Sequence, residues 1–146
     1  MPPMNHQPFA TSVLLIDGSH KQRAYWAEQL KRCSLDYQIF EADSGQSGLA
    51  LYRSRRIDCV VVDLALPDQS GLQVLEDLVP NPSRPTVAVL VLTLLGYQSL
   101  WELAKEFGAY ACFHKKHVVG EDLDKAIQRA VAFVGQMPKE ERYRAV

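Results

Sequence analysis

The sequence predicts an α/β fold: a five-stranded parallel sheet with helices on both faces. Two observations predict it. Short β-rich runs alternate strictly with segments of helical period, the pattern of a parallel sheet joined by helical crossovers. The β runs are apolar almost throughout, as strands covered on both faces should be.

The elements follow in order. SVLLID (Ser12–Asp17) is the first strand. In SHKQRAYWAEQLKRC, Ser19 is an N-cap and Gln22 completes a capping-box pattern; Trp26, Leu30 and Cys33 form the apolar stripe. YQIFEA (Tyr37–Ala42) is the second strand, and SGQSGLALYRSR opens on the cap Ser44 and carries Leu49 and Tyr52. CVVVD (Cys59–Asp63) is the third strand; SGLQVLEDLV places Leu72, Leu75 and Leu78 along one helix face. TVAVLVLT (Thr86–Thr93) is the fourth strand. In SLWELAKEFG, Leu100, Leu103, Ala104 and Phe107 keep helical spacing, and Gly108 is a C-terminal stop. AYACFH (Ala109–His114) is the fifth strand; the last helix buries Leu123, Ala126, Ile127, Ala130 and Val134. Right-handed crossovers and this strand number suit the flavodoxin-like order 2-1-3-4-5.

Composition narrows the class. The chain has 146 residues, 47% of them hydrophobic, enough for one domain with a substantial core. It has 16 basic and 17 acidic residues and a net charge of -1, so charge gives no reason to expect nucleic acid or an anionic membrane as partner. Cys33, Cys59 and Cys112 form no C-x-x-C pair, which argues against a disulfide framework or a zinc site and fits a cytoplasmic protein. Residues 1–11 lack the apolar stretch of a signal peptide and read as a leader. The longest apolar run, VAVLVLTLL, is too short to cross a bilayer. No internal repeat or low-complexity block appears.

In a doubly wound sheet, ligands bind outside the carboxyl ends of the strands. Asp17, Asp63 and Thr93 end the first, third and fourth strands, and Lys115 follows the fifth. Polar residues begin at any strand end, but these types together suit phosphoryl transfer. A carboxylate can attack phosphorus, with a fixed cation and a hydroxyl ready for the developing charge. Two close carboxylates invite a hard divalent cation, magnesium above all.

The set resembles a response-regulator receiver domain of two-component signalling over 12–137. DLALPDQSG matches the phosphoacceptor motif at Asp63, with its proline and glycine at Pro67 and Gly71; VLT ends on the switch threonine, Thr93; GAYACFHK ends on the lysine, Lys115; LLID supplies one acid of the acidic pair, Asp17. The resemblance implies a phosphoacceptor rather than a turnover enzyme. A histidine kinase or phosphotransfer protein gives its phosphoryl group to Asp63, the threonine moves inward, and the face of helix 4, strand 5 and helix 5 is remodelled. It implies Mg2+ held by Asp17, Asp63 and the Ala65 backbone carbonyl.

Four positions depart from the pattern. Gly18 stands where the second acid is usual, Leu94 where a small residue follows the threonine, Cys112 where a rotating aromatic is usual, and Lys116 where a proline follows the lysine. The first three favour an alternative: a degenerate receiver acting as a phosphorylation-independent interaction module. A flavin-binding flavodoxin is weakened by DGSHKQR, with a single glycine and no hydroxyl-rich turn. A haloacid-dehalogenase-like phosphatase is weakened because Ala65 stands where its second acid would be.

Tyr97 and Trp101, four apart on helix 4, are either a contact surface for a partner or a second copy, or half-buried packing. His20 reads as a solvated first-turn residue, and His114 and His117 as incidental neighbours of Lys115. The tail at 138–146 is either a frayed extension or, since EERYRAV resembles the lead-in helix of a PAS sensor domain, a linker to a downstream sensor or output domain.

Overall fold

The computed structural model describes residues 10–136. Its elements alternate β1 (Thr11–Ile16), α1 (His20–Cys33), β2 (Tyr37–Ala42), α2 (Gly45–Ser54), β3 (Cys59–Val62), α3 (Gly71–Leu78), β4 (Ala88–Thr93), α4 (Gln98–Glu106), β5 (Ala111–His114) and α5 (Gly120–Gly135). The five strands are all parallel, in the order β2-β1-β3-β4-β5. Residues 1–9 of the expected leader, residue 137 and the tail at 138–146, with its PAS-like stretch, lie outside the described residues, and Thr11, expected in the leader, begins β1.

Alternation of side chains along each strand divides the interior into two cores. Val13, Leu15, Cys59, Val61, Leu90 and Leu92 pack with Trp26 and Leu30 of α1 and with Leu123, Ile127 and Ala130 of α5. Leu14, Ile16, Val60, Val62, Val89 and Val91 pack with Leu49 of α2, Val74, Leu75 and Leu78 of α3, and Ala104 of α4. Both faces of the central strands are thus dry, which is why their sequences do not alternate with polar residues.

Several local expectations change. β4 begins at Ala88 rather than Thr86 because its ladder partner β3 begins at Cys59, opposite Ala88. β5 likewise begins at Ala111, opposite Leu90. Ser19 caps α1 by accepting from the Gln22 N–H at 3.2 Å. The reciprocal half of the box is not made: the Ser19 N–H donates to Asp17 Oδ1 at 2.8 Å, where a carboxylate outcompetes a neutral amide. The full capping box is at α2, between Ser44 and Ser47.

On α3, Val74 joins Leu75 and Leu78 in the core while Leu72 is only partly covered. On α4 only Ala104 is fully buried; Leu100 and Phe107 are partly covered and Leu103 is exposed, Trp101 packing against the core beside Ala104 instead. Tyr97 is the N-cap of α4, outside the helix and exposed, whereas Trp101 is half-buried against the second core. Cys59 is buried as expected, but Cys33 ends α1 half-exposed. Gly108 does end α4, with φ +114°, a conformation that costs a residue bearing Cβ. Among the described residues, no helix is long and apolar enough to cross a membrane.

Candidate functional site

Strand parity decides which side chains meet. On β1, Val13 and Leu15 face the α1/α5 core, and Asp17 is the next position of that parity. On β3, Cys59 and Val61 lead in the same way to Asp63; on β5, Ala111 and Phe113 lead to Lys115. On β4 the parity differs: Val89 and Val91 face the other core, and Thr93 follows them. Register then sets the heights. Ile16 pairs with Val62, so Asp17 and Asp63 stand side by side one step beyond the ladder, and the Asp63 N–H donates to the Ile16 carbonyl at 2.9 Å. The Lys115 N–H reaches the Thr93 carbonyl at 2.9 Å.

Three of the four expected side chains therefore converge. Lys115 Nζ donates to Asp17 Oδ2 at 2.6 Å and to Asp63 Oδ2 at 2.9 Å. All three side chains are nearly buried: 5% exposed for Lys115, 11% for Asp17 and 9% for Asp63. Burial works to lower the Lys115 pKa, but hydrogen bonds to Asp17 and Asp63, together with their charges, outweigh it and hold the ammonium above its ordinary range. The outer oxygens are also engaged: Asp17 Oδ1 accepts from Ser19 N, and Asp63 Oδ1 accepts from Ala65 N at 3.1 Å. Beneath the carboxylates a cavity of about 10 Å³ is lined by Leu15, Ile16, Trp26, Val61 and Leu92 as well as by Arg23. This largely apolar floor strengthens each charge interaction above it.

Thr93 is fully buried and does not join the cluster. Its Oγ1 accepts from the Leu95 N–H at 3.2 Å. His114 and His117 stack on each other, with ring centres 4.6 Å apart, and His114 Nδ1 accepts from the Lys116 N–H rather than touching the carboxylates. His20 is exposed, its ring beside Arg23 Nη2. Burial pushes the Cys112 thiol up to about 11, so it is a neutral packing group near pH 7.

Two supporting residues escaped the sequence reading. Arg23 reaches back from α1 to donate to the Asp17 carbonyl at 2.6 Å and pairs with Glu41 at 3.2 Å; a charge at that helix position gives no sign of its target. Asp68, in the β3–α3 loop, accepts from the Gly45 N–H at 2.8 Å and the Gln46 N–H at 2.9 Å. It thereby caps α2 from outside, and these two amides hold its carboxyl below the usual range. An acid after Pro67 was a visible turn signal, but the helix it serves lies 22 to 23 residues upstream. The same loop folds back tightly: a Cβ on Gly71 would lie 2.2 Å from the Asp63 carbonyl oxygen.

The donor set bears on a metal. Asp17 and Asp63 supply hard carboxylate oxygens, but among the described residues no group of three or more His, Cys, Asp or Glu side chains is placed to hold an ion. Gly18 is the reason one acid is missing. The residues fit a hard cation that takes few protein ligands and keeps its waters, as magnesium does.

A flavodoxin-like sheet with two acids and a lysine at its carboxyl edge defines the receiver class. Residues 13–128 match the family model of the response regulator receiver domain, and the chain belongs to that family, the receiver domains of two-component response regulators. It is 25% identical over 112 residues to sporulation initiation phosphotransferase F of Bacillus subtilis (strain 168), covering 77% of this chain and 87% of that protein. It is 29% identical over 98 residues to a probable cyclic di-GMP phosphodiesterase of Vibrio cholerae serotype O1, covering 67% of this chain but only 22% of that longer protein. Among solved structures, a receiver domain from Clostridium thermocellum superposes with a TM-score of 0.75 at 26% identity, covering 84% of this chain and 95% of that one.

Proposed function

We propose that this domain accepts a phosphoryl group on Asp63 from the phosphohistidine of a histidine kinase or phosphotransfer protein. The observation that carries the proposal is the shared ammonium: Lys115 bonds both Asp17 and Asp63 in a nearly buried pocket. In the transfer, a carboxylate oxygen of Asp63 forms a bond to phosphorus while the N–P bond of the donor breaks and its electron pair returns to the imidazole. Lys115 is already in place to offset charge on the phosphoryl oxygens, so little reorganisation is needed. Receiver domains bind Mg2+ at this acidic pocket; here Asp17, Asp63 and the Ala65 carbonyl would hold it, and when bound it neutralises phosphoryl charge. The Thr93 hydroxyl then leaves Leu95 for the phosphoryl group, and the α4, β5, α5 face responds. One group is taken per chain, without turnover. The likeness to a phosphotransferase supports a place in a relay, and the unpaired cysteines suit a reducing cytoplasm.

The test is incubation with acetyl phosphate and Mg2+, read by intact mass. Wild type gains the mass of one phosphoryl group and Asp63→Asn gains none. A second reading rests on Gly18, Leu94 and Cys112: a receiver that works by contact alone. No added mass in wild type, under conditions that modify an ordinary receiver, decides for it.

A further inference from the structure

The loop between β4 and α4 is held by a short chain of hydrogen bonds. Leu95 is fixed at both ends of its peptide units. Its N–H donates to Thr93 Oγ1 at 3.2 Å, and its carbonyl accepts from the Trp101 indole Nε1–H at 2.7 Å. Trp101 lies in the first turn of α4, where its own N–H bonds the Tyr97 carbonyl at 3.1 Å. That helix start has no side-chain cap: Tyr97 is the N-cap residue and makes no capping bond. The Trp101 indole does not cap the first amides of α4, since it is itself a donor, but its reach back to the Leu95 carbonyl ties the helix to the loop before it. On the far side, Cys112 Sγ contacts the Trp101 carbonyl at 3.8 Å. A small, neutral thiol at that place on β5 leaves the indole as the large group that spans loop and helix.

We propose that Trp101 is a positioning residue for Thr93, holding Leu95 where its N–H keeps the threonine hydroxyl engaged. This rests on the phosphoacceptor reading for its consequence, not for its geometry. When the Thr93 hydroxyl turns to the phosphoryl group, Leu95 loses its acceptor, and the peptide gripped by Trp101 shifts. The indole carries that shift into the first turn of α4, next to exposed Tyr97. In a chain with Cys112 on β5, the coupling from site to surface runs through α4.

The first test needs no phosphorylation. In 15N spectra of the unmodified protein the two indole resonances are assigned, and Thr93→Val is introduced. The Trp101 indole shifts and its proton exchanges faster. Trp26 serves as control, since its buried indole has no acceptor among the described residues. An unmoved Trp101 resonance overturns the proposal. The second test is a rate. Trp101→Phe removes one hydrogen bond that favours the resting loop, so acetyl phosphate modifies it about five-fold faster than wild type. In a Thr93→Ala background the same substitution leaves the rate unchanged, whereas a merely structural tryptophan would act equally in both backgrounds. Equal rates for Trp101→Phe and wild type also overturn it. A wild type that takes no phosphoryl group sinks the phosphoacceptor reading, and the indole response still decides the role of Trp101.

Discussion

Lys115 and Asp63, 52 residues apart in sequence, meet at 2.9 Å in a pocket where the lysine side chain is 5% exposed. The same ammonium bonds Asp17. In the unmodified protein, Lys115 is what makes two adjacent buried carboxylates tolerable, and its removal leaves both uncompensated.

Lys115→Met is expected to lower the unfolding free energy near neutral pH by roughly 3 kcal/mol, the usual scale for breaking a buried pair by deleting one member. Urea denaturation of variant and wild type measures it. A loss no larger than that of an exposed ion pair would show that solvent already screens the pocket.

Alkaline titration gives a sign. The folded-state value of Lys115 is raised above the ordinary 10.5. Its contribution is therefore complete below 10.5 and is lost as pH rises through the folded value. The stability gap between wild type and Lys115→Met should narrow as pH rises above 10.5 and through that raised folded-state value. Tyr37 and Tyr52, raised mainly by burial, also lose stability as pH rises above 10, but they do so in both proteins and cancel in the difference.

Gly18→Asp should restore an acidic pair. Its Cβ would lie 3.1 Å from Pro67 Cδ and 3.8 Å from the Asp43 carbonyl oxygen, so the proline ring must yield by only a few tenths of an ångström. Mg2+ affinity, measured by calorimetry, should rise at least about ten-fold. Stability without metal should fall, because a further carboxylate crowds Asp17 and Asp63. Unchanged affinity would show that residue 18 does not face the ion.

Gly71→Ala and Gly135→Ala make a contrasting pair. A Cβ at 71 would meet the Asp63 carbonyl oxygen at 2.2 Å and Leu64 Cα at 2.6 Å, backbone that cannot swing aside, whereas at 135 nothing lies within 4 Å. The first should cost at least about 2 kcal/mol and displace the Asp63 loop. The second should stabilise by less than about 1 kcal/mol through helix propensity. Thermal unfolding separates the two.

Asp68→Ala should free the first amides of α2. Hydrogen exchange at Gly45 and Gln46 should quicken while α1 and α5 keep their protection. The Asp68 value is depressed below the ordinary 3.8, so its contribution is present above 3.8 and lost as pH falls through the depressed value. The difference between variant and wild type should vanish there.

The sequence by itself determined the alternation, the caps Ser19 and Ser44, the stop at Gly108 and the α5 face, because each rests on local period or on residues a few positions apart; the sheet order followed from the number of strands and the handedness of their crossovers. It also marked Asp17, Asp63, Thr93 and Lys115 as residues of one sheet edge. Only the tertiary structure decided which of them touch: register and strand parity put both acids and the lysine on one side and left Thr93 bonded to Leu95. Arg23, Asp68 and Trp101 were legible as residue types but not as partners. Their targets are a neighbouring carbonyl, an earlier helix and a preceding loop, and hydrogen bonds of that kind leave no period in the chain.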